Sequence, residues 1–524
     1  MFRKFIHPVE QDPDHKDRVI RNSGVISLFN TLGFASALLV DVFVAARFGL
    51  SQATDAFFVA YTLPQVLYSI ILVSFNVVLV PLFTRVSIEK GREGLWTVSS
   101  YLINLSLLVF FCIGMFGVLA SPVLIKIQGA GLDPETQMLG ISLNRILFLL
   151  VIPLGGIEVT KAILNSLREF AFPAASILLL NLTTVLVLIC FPRLGIHALA
   201  IGYVCGFWLE FFVLGIVLLT KGYTHKLRLS IRDPYVMNVL SQLRYPFLGA
   251  VFGQSNIILE RFLASFLPVG LVSALGYARR ILTAVNRIFL SSISTAFLPR
   301  LASQFTQNNL SEYKSSLSLA FRLAIFTSFP ISAGVIGLSI LLVDVLFGRG
   351  AFDYDATVTT AKLLSIFILS VPPSAIYQIL NTAFYATGDP KTPFNNRVLV
   401  LLINVVLDVT LFYFLGALGL TIGFSLAWIL GTIIIAHNLN HKMNFLDKEL
   451  LLFGGKIGLS SLLMGGVVYY IQSWLIGVRP SMLIRFVESG LWLGVITAFG
   501  VVVFFLLALL MKVKEIKRVL RFVR

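Results

Sequence analysis

Glu260-Arg261, Arg279-Arg280 and Arg287 place five ionisable groups in two stretches of sequence that are otherwise apolar. Arg280 and Arg287 stand seven apart, so on a helix they share a face. Guanidinium groups gathered on one face repel each other unless an anion or a carboxylate compensates them. The planar fork of arginine matches phosphate oxygens two at a time. These residues therefore point to a site for a phosphate or diphosphate, held by Arg280, Arg287, Arg261 and Arg279. The competing reading is that Glu260 and other carboxylates pair the arginines, or that their long stems carry the charges out to a membrane interface.

A second set offers oxygen rather than nitrogen. Asn404 and Asp408 are four apart, as are Thr421 and Ser425, and with Glu260 these side chains would enclose a hard monovalent cation. Ordinary hydrogen bonding between helices accounts for the same spacing. Nearer the N-terminus, Asp41, Glu158, Lys161 and Glu210 interrupt apolar runs, and groups of that kind face a cavity or a partner. Glu158 and Lys161, three apart, are placed to neutralise each other; Glu210 has no partner that spacing reveals; Asp41 lies toward the end of its segment, within reach of the interface. No catalytic constellation accompanies them. The six histidines (His7, His15, His197, His225, His437, His441) form no metal-ligand pair with an acidic partner, and no P-loop, GxSxG or nucleotide fingerprint occurs. We therefore expect no enzyme, and energy drawn from an ion gradient or membrane potential rather than from bound ATP.

The elements that position these groups must cross a bilayer. Of 524 residues, 57% are hydrophobic and 13% charged, with a mean hydropathy of +0.91. A soluble domain is about 45–50% apolar and about 25% charged, so one or two water-soluble cores could not hide this excess. The same arithmetic excludes a disordered chain, a coiled coil and a disulfide scaffold. Cys112, Cys190 and Cys205 all sit inside apolar runs and read as small hydrophobes. A helix satisfies its own backbone in about 20 apolar residues. That window gives fourteen spans, near 25–47, 56–83, 97–125, 139–164, 172–191, 196–219, 237–266, 272–298, 317–343, 358–385, 394–414, 417–437, 453–475 and 485–511. Breaks carry turn chemistry, as at Asp133-Pro134, Phe191-Pro192 and Gly388-Asp389-Pro390. The runs are continuous rather than alternating, so the fold class is an all-α polytopic membrane protein, not a barrel.

Residues 1–22 are charged and lack a cleavable leader, and read as a cytoplasmic extension. Lysine and arginine concentrate in alternate loops, such as Arg85, Lys90 and Arg92, then Lys221, Lys226, Arg228 and Arg232, and again in the tail after Lys512. The opposite loops hold only Arg47, Lys126, Arg193, Arg349, Arg479 and Arg485, which places both termini in the cytoplasm. The net charge of +16 follows from this distribution and from attraction to anionic lipid, not from a nucleic-acid site.

The chain repeats itself. Ala162-Ile163-Leu164-Asn165-Ser166 is echoed by Gln378-Ile379-Leu380-Asn381-Thr382, Val80-Pro81-Leu82 by Leu298-Pro299-Arg300, and Ala200-Ile201-Gly202-Tyr203 by Thr421-Ile422-Gly423-Phe424, at offsets of 216, 218 and 221. Six helices between copies is an even number, so the copies share an orientation. We expect a six-helix lobe over 23–222, a second over 223–440, a cavity between them, and an appendage of two helices with a basic tail over 441–524. Such an architecture suits a transporter.

Ala53-Thr54-Asp55-Ala56-Phe57-Phe58-Val59-Ala60, with Leu63-Pro64 and Val80-Pro81, resembles the MurJ/MviN family of the multidrug/oligosaccharidyl-lipid/polysaccharide exporter superfamily. Ala264-Ser265-Phe266-Leu267, Tyr277-Ala278-Arg279-Arg280, and Phe384-Tyr385 followed by Asp389 and Lys391-Thr392-Pro393 extend the resemblance over most of the chain. It implies fourteen helices in two lobes of six, a hydrophobic groove at the last pair, and alternating-access flipping of the undecaprenyl-diphosphate-linked peptidoglycan precursor lipid II across the bacterial inner membrane. It implies a monomer among membrane lipids, associated with the cell-wall synthesis machinery. Arg280 falls on the family's eighth-helix cavity arginine, Asp41 matches the acidic residue of its first helix, and Glu260, Asn404, Asp408, Thr421 and Ser425 resemble its sodium site, with Na+ as coupling ion. Thr31, Val40, Tyr68 and Ser69 stand where the family carries arginines in helices one and two. A flippase for another lipid-linked exopolysaccharide or surface glycan is thus the competing reading, with a drug or cation exporter behind it.

Overall fold

The structure, a computed structural model, describes residues 13–289, 291–478 and 486–513. The first twelve residues of the charged extension, residues 479–485 with Arg479 and Arg485, and the basic stretch beyond Val513 lie outside the described residues. Seventeen α-helices and no strand are found among the described residues. In chain order they are α1 (Pro13–Phe48), α2 (Gln52–Gln128), α3 (Pro134–Phe148), α4 (Val151–Ser166), α5 (Ala171–Cys190), α6 (His197–Thr220), α7 (Pro234–Ala264), α8 (Leu271–Phe289), α9 (Ser291–Thr306), α10 (Leu310–Gly337), α11 (Ser339–Phe347), α12 (Tyr354–Phe367), α13 (Val371–Ala386), α14 (Lys391–Leu415), α15 (Ala417–Met443), α16 (Lys448–Val478) and α17 (Phe486–Leu510). Eleven stretches of described helix are long and apolar enough to cross a membrane, and the chain is a multi-pass membrane protein.

The difference from fourteen lies in α2, α7 and α8. The second and third expected spans are the two helical arms of α2, which meet at a kink where Gly91 leaves helical geometry (φ 64°, ψ −165°). Lys90, Arg92 and Glu93 flank that kink, so the charged stretch separates the two arms where the sequence places a break. Neither α7 nor α8 counts among the eleven. Arg279, Arg280 and Arg287 charge α8, and in α7 polar Gln254, Ser255 and Asn256 precede the charged pair Glu260-Arg261 and lower its hydropathy.

The chain forms two compact units. The first comprises residues 1–43, 63–124 and 141–250. Its centre is α4, whose residues from Val151 to Leu164 are almost all buried. Beside it α5 and α6 approach closely because Gly202 has no side chain: a Cβ there would lie 3.0 Å from the Thr184 backbone. The second unit comprises 44–62, 125–140 and 251–524. Within it α14 and α15 pack by the same device, and a Cβ on Gly423 would meet Asp408 Oδ1 at 2.4 Å.

The backbone repeats as the sequence does. Gly49 and Gly270 both have positive φ, as do Gly195 and Gly416, each pair 221 residues apart. The ends of α4 and α13 match as well. Arg168 (φ 63°) and Gly388 (φ 75°) turn the chain, and the next amides, Glu169 and Asp389, donate back to Leu164 and Phe384 at 2.9 and 3.0 Å. Those two acidic residues are then ion-paired to Lys221 and Lys442.

Candidate functional site

In the second unit α7, α8, α14 and α15 carry the charged set. Their positions start from Asp55, at the first turn of α2. Its carboxylate accepts hydrogen bonds from the backbone amides of Gly270 (2.6 Å) and Ser273 (2.8 Å), and so caps the N-terminus of α8 with negative charge. Leu275, Ala278, Ile281, Leu282 and Val285 bury one side of α8, which fixes its rotation and the directions of its arginines.

Two clusters result. Arg261 is buried and donates from Nη1 to the Val272 carbonyl (2.8 Å). Its guanidinium lies 5.2 Å from the centroid of the Phe58 ring, and that of half-buried Arg280 lies 5.6 Å from the same ring. The two guanidinium groups are close enough to repel, with Asp55 the nearby opposite charge acting on Arg261. Arg287, expected on the Arg280 face, sits exposed in the last turn of α8.

The second cluster centres on Arg279. Its Nε donates to Glu260 Oε1 at 3.2 Å and its Nη2 to Glu260 Oε2, a bidentate pair. Its planar face packs 4.9 Å from the Phe367 centroid and 4.6 Å from that of Phe424, and Asp408 lies within electrostatic reach. Asn404 Nδ2 donates to Asp408 Oδ1 (2.9 Å), whereas Asn404 Oδ1 is buried with no hydrogen-bond partner. Arg279 and Asn404 line a cavity of about 180 Å³ together with Asn256, Arg397, Phe424 and Trp428. Ser425 donates its hydroxyl to the Ile366 carbonyl (2.7 Å) and Thr421 to Leu418 in its own helix (2.9 Å). With Glu260 held by Arg279 and Asp408 within reach of the same guanidinium, the carboxylates already have a cation, and the set does not fit a sodium ion as it stands.

The chain belongs to the lipid II flippase MurJ family. Residues 44–488 match the family model described as "Lipid II flippase MurJ". A probable lipid II flippase MurJ of Rickettsia prowazekii (strain Madrid E) is 26% identical over 499 residues, covering 94% of this chain and 97% of that protein. In fold the chain is similar to a lipid II flippase MurJ solved in an inward closed conformation, with a TM-score of 0.77 and 24% identity over 92% of this chain and 97% of the other. It is also similar to a multidrug resistance MATE family transporter in an inward-facing conformation, with a TM-score of 0.67 and 15% identity over 79% and 94% of the two chains.

Within this MurJ-family chain two features escaped the sequence reading. Asp55 was visible only as a letter in a motif, because its partners lie more than 200 residues away. In the first unit Glu210 does have a partner: Lys161 Nζ lies 2.8 Å from Glu210 and 3.3 Å from Glu158, while Ser176 donates to Glu210 (2.7 Å) and Asn76 to Glu158 (3.2 Å). Lys161 therefore serves two carboxylates, not one. Asp41 is buried in α1 of that unit. At the last two helices, where the resemblance implies a hydrophobic groove, an apolar hollow of about 570 Å³ lies between α10, α16 and α17, lined by Phe326, Pro330, Met464, Val468, Gly500 and Phe504.

Proposed function

We propose that this chain is a flippase for lipid II, carrying the undecaprenyl-diphosphate-linked precursor from the inner to the outer leaflet of the bacterial cytoplasmic membrane by alternating access, with both termini in the cytoplasm. The observation that carries this reading is the gathering of Arg261 from α7 and Arg280 from α8 around the Phe58 ring of α2. Half-buried Arg280 is the diphosphate ligand, supported by Arg261 and by Arg287 at the end of the same helix. The names of the relatives supply the substrate. The apolar hollow beside α16 and α17 suits the prenyl tail, which would stay in a hydrocarbon environment while the headgroup passes.

Alternating access requires only that headgroup and tail bind the two states unequally, since a ligand shifts conformers by its differential affinity. The test is lipid II flipping in proteoliposomes. Arg280→Ala removes a charge-assisted contact of about 1.5–3 kcal/mol, so flipping falls by tenfold or more on the order expected from that loss, while yield and unfolding temperature hold. A folded Arg280→Ala protein that flips at the wild-type rate would overturn the site.

A further inference from the structure

The Glu260–Asp408 cluster contains its own positive charge. Glu260 and Asp408 are 2% and 1% exposed, and buried carboxylates are retained only where a cation or hydrogen bonds compensate them. Here the compensating cation is a side chain of the protein itself. The Arg279 fork is taken up bidentately by Glu260, lies near Asp408, and sits 4.9 and 4.6 Å from the centroids of the Phe367 and Phe424 rings. A guanidinium does not deprotonate in a protein and cannot leave its backbone. The cavity that adjoins Asn404 is lined by Arg279 and also by Arg397, itself 5.2 Å from the Trp428 centroid. A cation in that cavity has two guanidinium groups in its wall.

We propose that Arg279 is the resident cation of the Glu260–Asp408 cluster, standing where a sodium ion would otherwise balance the charge, so that this chain binds no sodium there. Arg279 is thereby a specificity-determining residue for ion coupling rather than a phosphate ligand. As a statement about coupling this rests on the transport reading above.

Sodium binding by the purified full-length protein in detergent decides it, followed with radiolabelled sodium and by unfolding temperature in sodium chloride against choline chloride at equal ionic strength. The wild type shows no saturable uptake of label and the same unfolding temperature in both salts. Arg279→Gln, which leaves the carboxylates uncompensated, gains saturable sodium binding and a sodium-specific rise of about 2–4 °C, and Arg279→Gln with Asp408→Asn loses both. Saturable sodium binding by the wild type that Asp408→Asn abolishes overturns the proposal, as does a folded Arg279→Gln protein indifferent to sodium. Should Arg279→Gln not fold, Arg279→Lys keeps a tethered cation and must stay indifferent; a sodium-dependent lysine variant is equally fatal. The readout is ion binding. Failure to move lipid II would therefore sink the transport reading while leaving this result standing.

Discussion

The first unit's buried cluster shows what a single ammonium does in a low-dielectric interior. Glu158 and Glu210 come from different helices, α4 and α6, and are 1% exposed each; Lys161 bonds to both. Removing one partner of a buried ion pair leaves uncompensated charge and costs about 3–5 kcal/mol, whereas removing all the charges costs far less. Lys161→Met should therefore lower the unfolding temperature sharply or abolish purification. Adding Glu158→Gln and Glu210→Gln to it should restore most of the loss. Unfolding scans of the single and triple variants check this, and a Lys161→Met protein as stable as wild type would refute it. The Glu158–Lys161 half of this cluster was legible from three-residue spacing. The Glu210 half was not, because the approach of α6 to α4 is a product of packing, not of local sequence.

At the scale of elements, α8 carries the arginines and Asp55 holds its start. A carboxylate accepting two amides at a helix N-terminus contributes on the order of 1–2 kcal/mol. Asp55→Ala should lower stability by about that amount and speed hydrogen exchange of the Gly270 and Ser273 amides; Asp55→Asn, with one acceptor oxygen, should fall between. Since Arg279 and Arg280 are aimed by this helix, flipping should drop in the same order, and unchanged exchange at Gly270 in the alanine variant would rule the cap out. Helices themselves were easy to read, because twenty apolar residues leave the backbone no other solution in lipid. The short gap near 415 is faint in the sequence, and the φ of 55° at Gly416 explains why the chain breaks there on a glycine. Charge was a sound guide too: Lys90 to Glu93 reads as a break between spans, and α2 leaves helical geometry there, at Gly91.

At the scale of the whole molecule, the repeat found in three short echoes is carried more fully by the backbone turns and by two ion pairs. Those pairs, Glu169–Lys221 and Asp389–Lys442, connect matching helix ends in the two copies but share little sequence, since one copy turns on Arg168 and the other on Gly388. Composition and motif reading pass over such a feature because the conserved quantity is geometry. The Asp389 carboxylate accepts from Lys442 Nζ (2.7 Å) and from the Thr392 hydroxyl (2.8 Å) and amide (3.1 Å). The Lys442 hydrogen bond, then those of Thr392, hold its pKa down to about 2. A carboxylate lowered from an ordinary value of about 4 stabilises the folded state above that value. Its contribution fades as pH falls from about 4 to about 2, because only then does the folded protein take up the proton. Lys442 is half exposed, so the pair is worth only about 0.2–1 kcal/mol. Asp389→Asn should thus unfold slightly earlier than wild type at pH 7, and the gap should narrow progressively once the buffer is taken below about pH 4. Lys221→Ala in the other copy should cost a similarly small amount at pH 7. Paired unfolding scans across that range check both, and a gap for Asp389→Asn that widens in acid would show that the carboxylate is not held by Lys442.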